Sequence, residues 1–465
     1  MQEYITTVSK YVLTLCMGFY TLDALLVLRH HDESEDGFLF IRQNFWMFAI
    51  QLIGFFNVAI LSREKIYIVI YGSLQIFIFL VLCITPLIYK RINRLLLNNM
   101  CMLMSLGMLM IARLNPNRSI RQFQMIAISY VVGMVTAFVV LKARFLSKMT
   151  WIYAIAGIVP LFAVYILGNT TLGAKISFTF GGITFQPSEF VKILFVLFVT
   201  AYLYKNTSFK KIVILSFFAG IHVLILVFSR DLGGALIFFI SYILMVFIAT
   251  GKYMYLFLGL AGASLASVMA YKLFSHVRIR ILAWTNPWTY IDNQGYQITQ
   301  SLFAIGSGSW FGMGLYQGTP DDIPYVEEDF IFSSICEEFG TIFGICLLLV
   351  ILSCFIMIMK IALRCYHPFY RYAAYGFGII YIFQIFLTVG GGIRFVPITG
   401  VTLPFISYGG SSLLASTIMF FIVQGIYMLT LKYENKKISL GEEKIQVTDR
   451  EENDTENNKA QEEKL

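Results

Sequence analysis

Charge is what this sequence has least of. Asp, Glu, Lys and Arg make up 13% of its 465 residues, where a soluble domain carries roughly a quarter. With 58% hydrophobic residues and a mean hydropathy of +0.73, a soluble globular class is excluded and repeated passage through a membrane is indicated. The seven cysteines lie mostly within apolar runs and show no CxxC spacing, which excludes a disulfide framework and a structural zinc site. The five histidines are scattered, and the one adjacent pair, His30-His31, reads as a solvated loop rather than a metal site. The opening MQEYITTVSK has no basic n-region before its apolar run, so no cleavable signal peptide is expected. No repeat of roughly 20–50 residues is visible. The formal net charge of +8 falls as single Lys and Arg residues in short connectors, a pattern that orients helices in a bilayer rather than one that grips nucleic acid.

What the chain does have is apolar runs. A bilayer crossing needs roughly 20 of them in a row, and about thirteen candidates centre near Phe19, Ile53, Phe77, Leu106, Val132, Val159, Leu197, Ile221, Ile240, Leu260, Leu348, Ile382 and Phe420. Connector charges orient them. Lys90, Arg91 and Arg94 share one side with Lys142, Arg144 and Lys148, with Lys205, Lys210 and Lys211, with Lys360, Arg364 and Arg371, and with Lys432, Lys436 and Lys437. Positive charge collects on the cytoplasmic side. The N-terminus and the long polar stretch Arg278–Gly340 then face outward. Arg113, Arg118 and Arg121 also come out on the external side, against the majority.

The stretch Arg278–Gly340 concentrates carboxylates, arginines, Gly turns and Pro, and must lie at an aqueous face as a lid or floor over the helices. Two shorter outer segments, Gly168–Phe185 and Gly390–Pro404, are rich in Gly and Thr and poor in helix signals. Triple glycine at Gly390-Gly391-Gly392 permits a sharp re-entrant turn. Gly409, Gly410, Ser411 and Ser412 are small enough for close helix packing. After Tyr433 the mixed-charge tail is expected to be disordered in the cytoplasm.

Charged residues in or beside the crossings are costly and so informative. Asp23 stands alone in the first run and must be protonated, turned into the bundle or near a boundary. Glu189 and Lys192, three apart, share a helix face after Pro187 and can pair; Lys192 could equally meet an anionic headgroup. Asp231 suits a helix N-terminus. Glu337 and Glu338 point to different faces of one apolar helix, so at least one must meet a basic group or water. Packing does not account for Arg394.

The strings FQPSEFVK (from Phe185), DLGGA, NPWTYIDNQGYQITQSLFAIGSGSWFGMG, EDFIFSSICEEFG and LPFISYGGSS (to Ser412), in this order, resemble the SEDS family (FtsW, RodA and SpoVE), the polytopic peptidoglycan polymerases of division, elongation and sporulation. The resemblance implies an all-α polytopic membrane protein with a ten-span core. Residues 1–99 would be additional N-terminal transmembrane helices, about three of them. Residues 100–432 would form the core, with an outer loop at about 275–329, and residues 433–465 the tail. It also implies glycosyl transfer at the outer face of the bacterial cytoplasmic membrane. A glycan on undecaprenyl pyrophosphate is the donor, lipid II supplies the acceptor hydroxyl, and a class B penicillin-binding protein, the transpeptidase, is the partner.

Such a reaction needs a base for the hydroxyl and cations for the departing pyrophosphate. Candidate cations are Lys192, Arg278, Arg280 and Arg394, with Glu189, Asp231, Glu337 and Glu338 as further polar residues of the substrate site. The family's base is a loop Asp after Asn/Asp-Pro-Trp. Counted from Asn286-Pro287-Trp288, that position holds Tyr290, a poor base with an ordinary pKa of about 10. The nearest acid, Asp292, is two residues on, a span of up to about 7 Å. Asp292 substitutes, or Glu328 or Asp329 contributes, or the chain is a weak or inactive member. No cofactor is assigned and no metal ligand set is evident, although a divalent metal is compatible with the chemistry. Two other classes compete: a scaffold that binds lipid II and a transpeptidase without catalysis, and a flippase or transporter, which lacks the paired broken helices such proteins carry.

Overall fold

The computed structural model describes residues 2–29, 37–143, 145–171, 174–180 and 183–462; His30-His31 and Arg144 lie outside them. Three helices come first: α1 (Gln2–Arg29), α2 (Gly37–Ser62) and α3 (Ile66–Ile88). A core of ten long helices follows: α4 (Arg94–Leu114), α5 (Pro116–Lys142), α6 (Thr150–Leu167), α7 (Pro187–Leu203), α8 (Phe209–Phe228), α9 (Leu232–Thr250), α10 (Tyr253–Leu273), α14 (Thr341–Arg364), α15 (Pro368–Gly392) and α16 (Gly410–Glu462). Between α10 and α14 the outer segment folds into three short helices, α11 (Ser275–Thr285), α12 (Tyr296–Gly308) and α13 (Ile331–Phe339). Among the described residues, 12 helices are long and apolar enough to cross a membrane. The remaining expected crossing, near Leu197, is α7; its 17 residues reach about 25 Å, and most of its side chains are buried by neighbours. The chain is a multi-pass membrane protein with ten core crossings and three added ones.

Local chemistry starts these helices where they start. The Asn93 side chain accepts from the Leu96 N–H at the head of α4, and Asn115 does the same for α5, where Pro116 occupies the first turn. The α4 window that could cross the membrane is wholly buried, because its apolar residues run all round the helix rather than along one stripe. By contrast α10 buries none of its side chains and touches the bundle along one edge, which leaves it to lipid.

The outer connectors and the tail take definite forms. The Gly168–Phe185 segment forms a small antiparallel sheet, β1 (Asn169–Thr171), β2 (Ala174–Phe180) and β3 (Ile183–Phe185), in the order β1-β2-β3. The triple glycine makes no re-entrant turn; it is the helical end of α15. Its bare backbone lets the Ser301–Ser333 pair approach, with Ser301 Oγ donating to the Gly392 carbonyl at 2.8 Å. The tail after Tyr433 continues the α16 backbone to Glu462. Its first turn is docked: Arg364 binds Glu434 through two hydrogen bonds of 2.6 Å, and the Tyr366 and Tyr433 rings stack at 4.6 Å.

Polar side chains in the three added helices face the core rather than lipid. Tyr20 Oη donates to Asn99 Oδ1 at 3.0 Å, Asn99 donates to Ser353 Oγ at 2.8 Å, and Gln51 donates to Ser105 Oγ at 2.6 Å. Asp23 is turned into the bundle, where Arg42 Nε of α2 lies 2.9 Å from both its oxygens. Each such bond between membrane helices contributes roughly 0.6–2 kcal/mol, so the added helices are fastened to the core by specific pairs.

Candidate functional site

Polar residues from five elements converge beneath the outer segment. Pro187 opens α7, which sets Glu189 and Lys192 on one face. Lys192 is buried, with Nζ 2.9 Å from Glu189 Oε2 and 2.8 Å from Gln384 Oε1 on α15. The Gln384 amide in turn donates to the Thr402 carbonyl at 3.0 Å, which fixes the loop between α15 and α16. Asp231 caps α9, accepting from the Gly234 N–H at 2.8 Å, and takes a second bond from Ser188 Oγ at 3.3 Å.

Above them, Arg280 of α11 donates to the Ile398 and Thr399 carbonyls, both at 3.3 Å. Burial pulls its pKa down, while the charges of Asp231 and Asp329 pull it up. No carboxylate comes within ion-pair distance of Arg280 among the described residues. Asp329 lines a small pocket with Thr388, Gly391, Gly392, Thr399 and Val401. Burial and the neighbouring Glu328 raise its pKa to about 7, with Arg280 opposing. Glu328 is raised too, chiefly by burial, with Arg118 opposing.

Asp292 is exposed in the turn after α11. The turn is wound tightly: the Tyr290 carbonyl accepts from the Asn293 and Gly295 N–H groups at 3.0 and 2.9 Å. A Cβ on Gly295 would lie 2.3 Å from the Pro287 carbonyl oxygen, so glycine is required for that approach. Tyr290 thus anchors the turn through its backbone and Asp292 stands at its crest, with no ion pair or hydrogen bond to its carboxylate among the described residues. Arg278 is likewise exposed on α11.

Two predicted site residues are engaged in holding the backbone. Arg394, at φ +59, donates to the Trp284 and Thr285 carbonyls at 2.9 and 2.8 Å, and Trp284 Nε1 donates back to the Arg394 carbonyl at 3.1 Å. It latches the end of α11 to the end of α15. Glu337 Oε1 accepts from the Thr319 N–H at 2.9 Å.

Glu338 belongs to a second cluster, whose other half the sequence had not marked as functional. Arg113, at the outer end of α4, places Nε 2.8 Å from Glu338 Oε1 and Nη1 3.2 Å from Asp321, and donates to the Gly318 carbonyl at 3.1 Å. Arg118 approaches Glu327 at 3.3 Å and Glu328 at 3.8 Å. These are two of the three external arginines that ran against the charge rule, and carboxylates of the outer segment neutralise them there. Their breach of the rule was the available signal. Ser188 and Gln384 gave no comparable one. Among the described residues no three His, Cys, Asp or Glu side chains gather as a metal ligand set.

The fold and this site define a class: a polytopic helical membrane protein whose acids and arginines converge under one extramembrane segment. The chain belongs to the FtsW/RodA/SpoVE family of cell cycle proteins, whose family model matches residues 90–431. It is 34% identical over 310 residues to peptidoglycan glycosyltransferase RodA of Mycobacterium tuberculosis, covering 61% of this chain and 64% of that protein. With RodA of Mycobacterium leprae it shares 33% over 358 residues, covering 71% and 77%. The chain therefore spans slightly less than two thirds of the length of the M. tuberculosis relative. A chain from a structure of a peptidoglycan synthase complex that coordinates polymerization and crosslinking overlays with a TM-score of 0.62 at 23% identity, covering 73% of this chain and 98% of that one. That likeness is one of fold. The family match begins after α1–α3, which are the addition.

Proposed function

We propose that the protein is a peptidoglycan glycosyltransferase, polymerising lipid II at the outer face of the bacterial cytoplasmic membrane together with a class B penicillin-binding protein. The observation that carries this reading is the Arg280 guanidinium. On α11 of the outer segment it feels the charges of Asp231 and Asp329 and, among the described residues, is held by two long carbonyl bonds, and so has donors left for a phosphate. Arginine binds phosphate oxygens bidentately. Exposed Arg278 on the same short helix adds a second cation. Lys192 serves the frame instead, since Glu189 and Gln384 already engage it.

Asp292 is the proton acceptor in this reading. Its carboxylate is exposed and free of partners, on the turn that the family resemblance assigns to the base. The acceptor hydroxyl gives its proton to Asp292 as its oxygen bonds to the anomeric carbon. The bond from that carbon to the pyrophosphate oxygen breaks, and Arg280 and Arg278 take up the charge that develops there. Asp329 and Glu328 shape the pocket and its field. A divalent metal, if the reaction uses one, would accompany the pyrophosphate.

The test is incubation of purified protein with lipid II, with and without its transpeptidase, and gel analysis of the products. Glycan strands are expected; their absence under both conditions overturns the reading. Tyr290 at the family's acid register favours a second reading, a lipid II-binding scaffold. Binding of lipid II and transpeptidase without polymer, unchanged by Tyr290→Asp, would support that one.

A further inference from the structure

The three added helices are fastened to the core, and they also reach the outer segment itself: Tyr67 of α3 bonds the Tyr316 side chain, and α1 touches the loop around Gly312. The C-terminal half of helix α1 runs parallel to α14, and its N-terminal half reaches the loop before it. Near the outer end the Tyr11 and Phe311 rings lie 5.2 Å apart and Lys10 Nζ donates to the Gly312 carbonyl at 3.0 Å. At mid-depth Thr21 Oγ1 donates to the Cys346 carbonyl at 3.3 Å. At the inner end Lys360 Nζ donates to the Leu28 carbonyl.

The outer contact falls on a loop that is fitted closely on its other side. The Met313 and Gly314 N–H groups donate to the carbonyls of Glu337 and Glu338, both at 2.9 Å. Gly312 has φ +78, and a Cβ there would lie 2.2 Å from the Glu338 carbonyl oxygen. Glu338 is also the acid that holds Arg113 and accepts from the Tyr316 N–H at 3.1 Å. The loop is therefore clasped between α13 and α1, and Lys10 is the clasp on the α1 side. A lysine within a membrane helix is expensive without a partner. Lys10 forms no ion pair among the described residues; its ammonium meets the Gly312 carbonyl and, at 5.3 Å, the Tyr11 ring.

We propose that Lys10 is a positioning residue, through which the first added helix sets the geometry of the loop around Gly312 and, through it, the Glu338–Arg113 junction of the core. The added helices are then a built-in brace for the outer segment. Only the catalytic consequence of this inference rests on the glycosyltransferase reading.

The test is hydrogen exchange of the full-length protein in nanodiscs, followed at the amides of Gly312, Met313 and Gly314. Lys10→Met keeps the length of the side chain and removes its donors; exchange there is expected to rise about two- to tenfold, the range for one lost hydrogen bond. Lys10→Arg, which restores a cationic donor, should return it to the original rate. Thr21→Val removes a bond of the same seam at mid-depth and should leave these amides unchanged. Unaltered exchange in Lys10→Met, or an equal rise in Thr21→Val, overturns the proposal. The readout needs no glycan product, so it stands apart from failure of the polymerase reading; where strands form, Lys10→Met should raise KM for lipid II more than it lowers kcat.

Discussion

Two arginines, Arg113 at the end of α4 beneath the outer segment and Arg280 on α11 within it, have different surroundings. Arg113 is 7% exposed and is satisfied on every side: Glu338, Asp321, the Gly318 carbonyl, and the Tyr316 ring 4.5 Å away. Arg280 has two acids within electrostatic reach but touches neither, and its bonds are two carbonyl contacts of 3.3 Å. A buried charge with a full set of partners holds a structure in place, whereas a partly desolvated one without them is poised to bind. The first cluster ties α4 to the outer segment, and the second is the place for an anionic ligand. Asp292, free and exposed, belongs functionally with the second.

If that division holds, substitutions in the two clusters should fail in different assays. The largest effect is expected from Asp292→Asn. Loss of a general base lowers the rate by roughly 10²–10⁴, and the unfolding temperature should not move, because the side chain has no partner to abandon. Equal polymerisation by the variant would take Asp292 out of the reaction. Next is Arg113→Met, which strands Glu338 without its counter-charge and should cost about 3–5 kcal/mol of stability, read as a lower unfolding midpoint in detergent. Adding Glu338→Met should recover much of that loss; no recovery would mean that the pair is not what Arg113 stabilises. Arg280→Met should do the reverse. Polymerisation should drop about tenfold to a hundredfold, as for one charge-assisted bond of roughly 1.5–3 kcal/mol, with the midpoint little changed. An Arg280→Met protein that unfolds early but polymerises normally would erase the contrast between the two arginines.

The crossings were legible because each is a run of apolar residues, a local property. Glu189–Lys192 was legible for the same reason: three residues apart on one helix, the pair is in contact whatever the rest of the chain does. Arg113 and Glu338 stand 225 residues apart, and nothing local to either names the other. Only the misplacement of Arg113 relative to the charge rule hinted at a hidden acid. The Asp292 turn was legible as a departure from the family's register, but not its geometry, which depends on the Tyr290 carbonyl and on the close approach at Gly295. The small sheet at residues 169–185 was missed although β2, AKISFTF, alternates apolar and polar residues, because β1 and β3 are three residues each and too short to show a period of their own. The triple glycine misled for a related reason: glycine permits a turn, and here the same lack of side chains serves helix packing against Ser301 and Ser333.

The smallest expected effect is on the pH dependence of stability, and it separates the two clusters once more. The folded Asp329 carboxyl holds its proton up to about pH 7, whereas in the unfolded chain an Asp releases it near pH 3.9. Between those values the folded state binds more protons than the unfolded one, so stability falls as pH rises and levels off above about 7. Asp329→Asn removes this titration, and its stability should be flatter than that of the unaltered protein across the window from about pH 4 to 7. Arg280→Met removes the charge that opposes the shift, so the sloping region should extend to higher pH. Arg113→Met acts on Glu338 instead, whose carboxyl burial raises to about 7 against the opposing Arg113 charge, so the part of the slope that Asp329→Asn removes should be the same with and without Arg113; a change in that difference would show that the two arginines act on one coupled site.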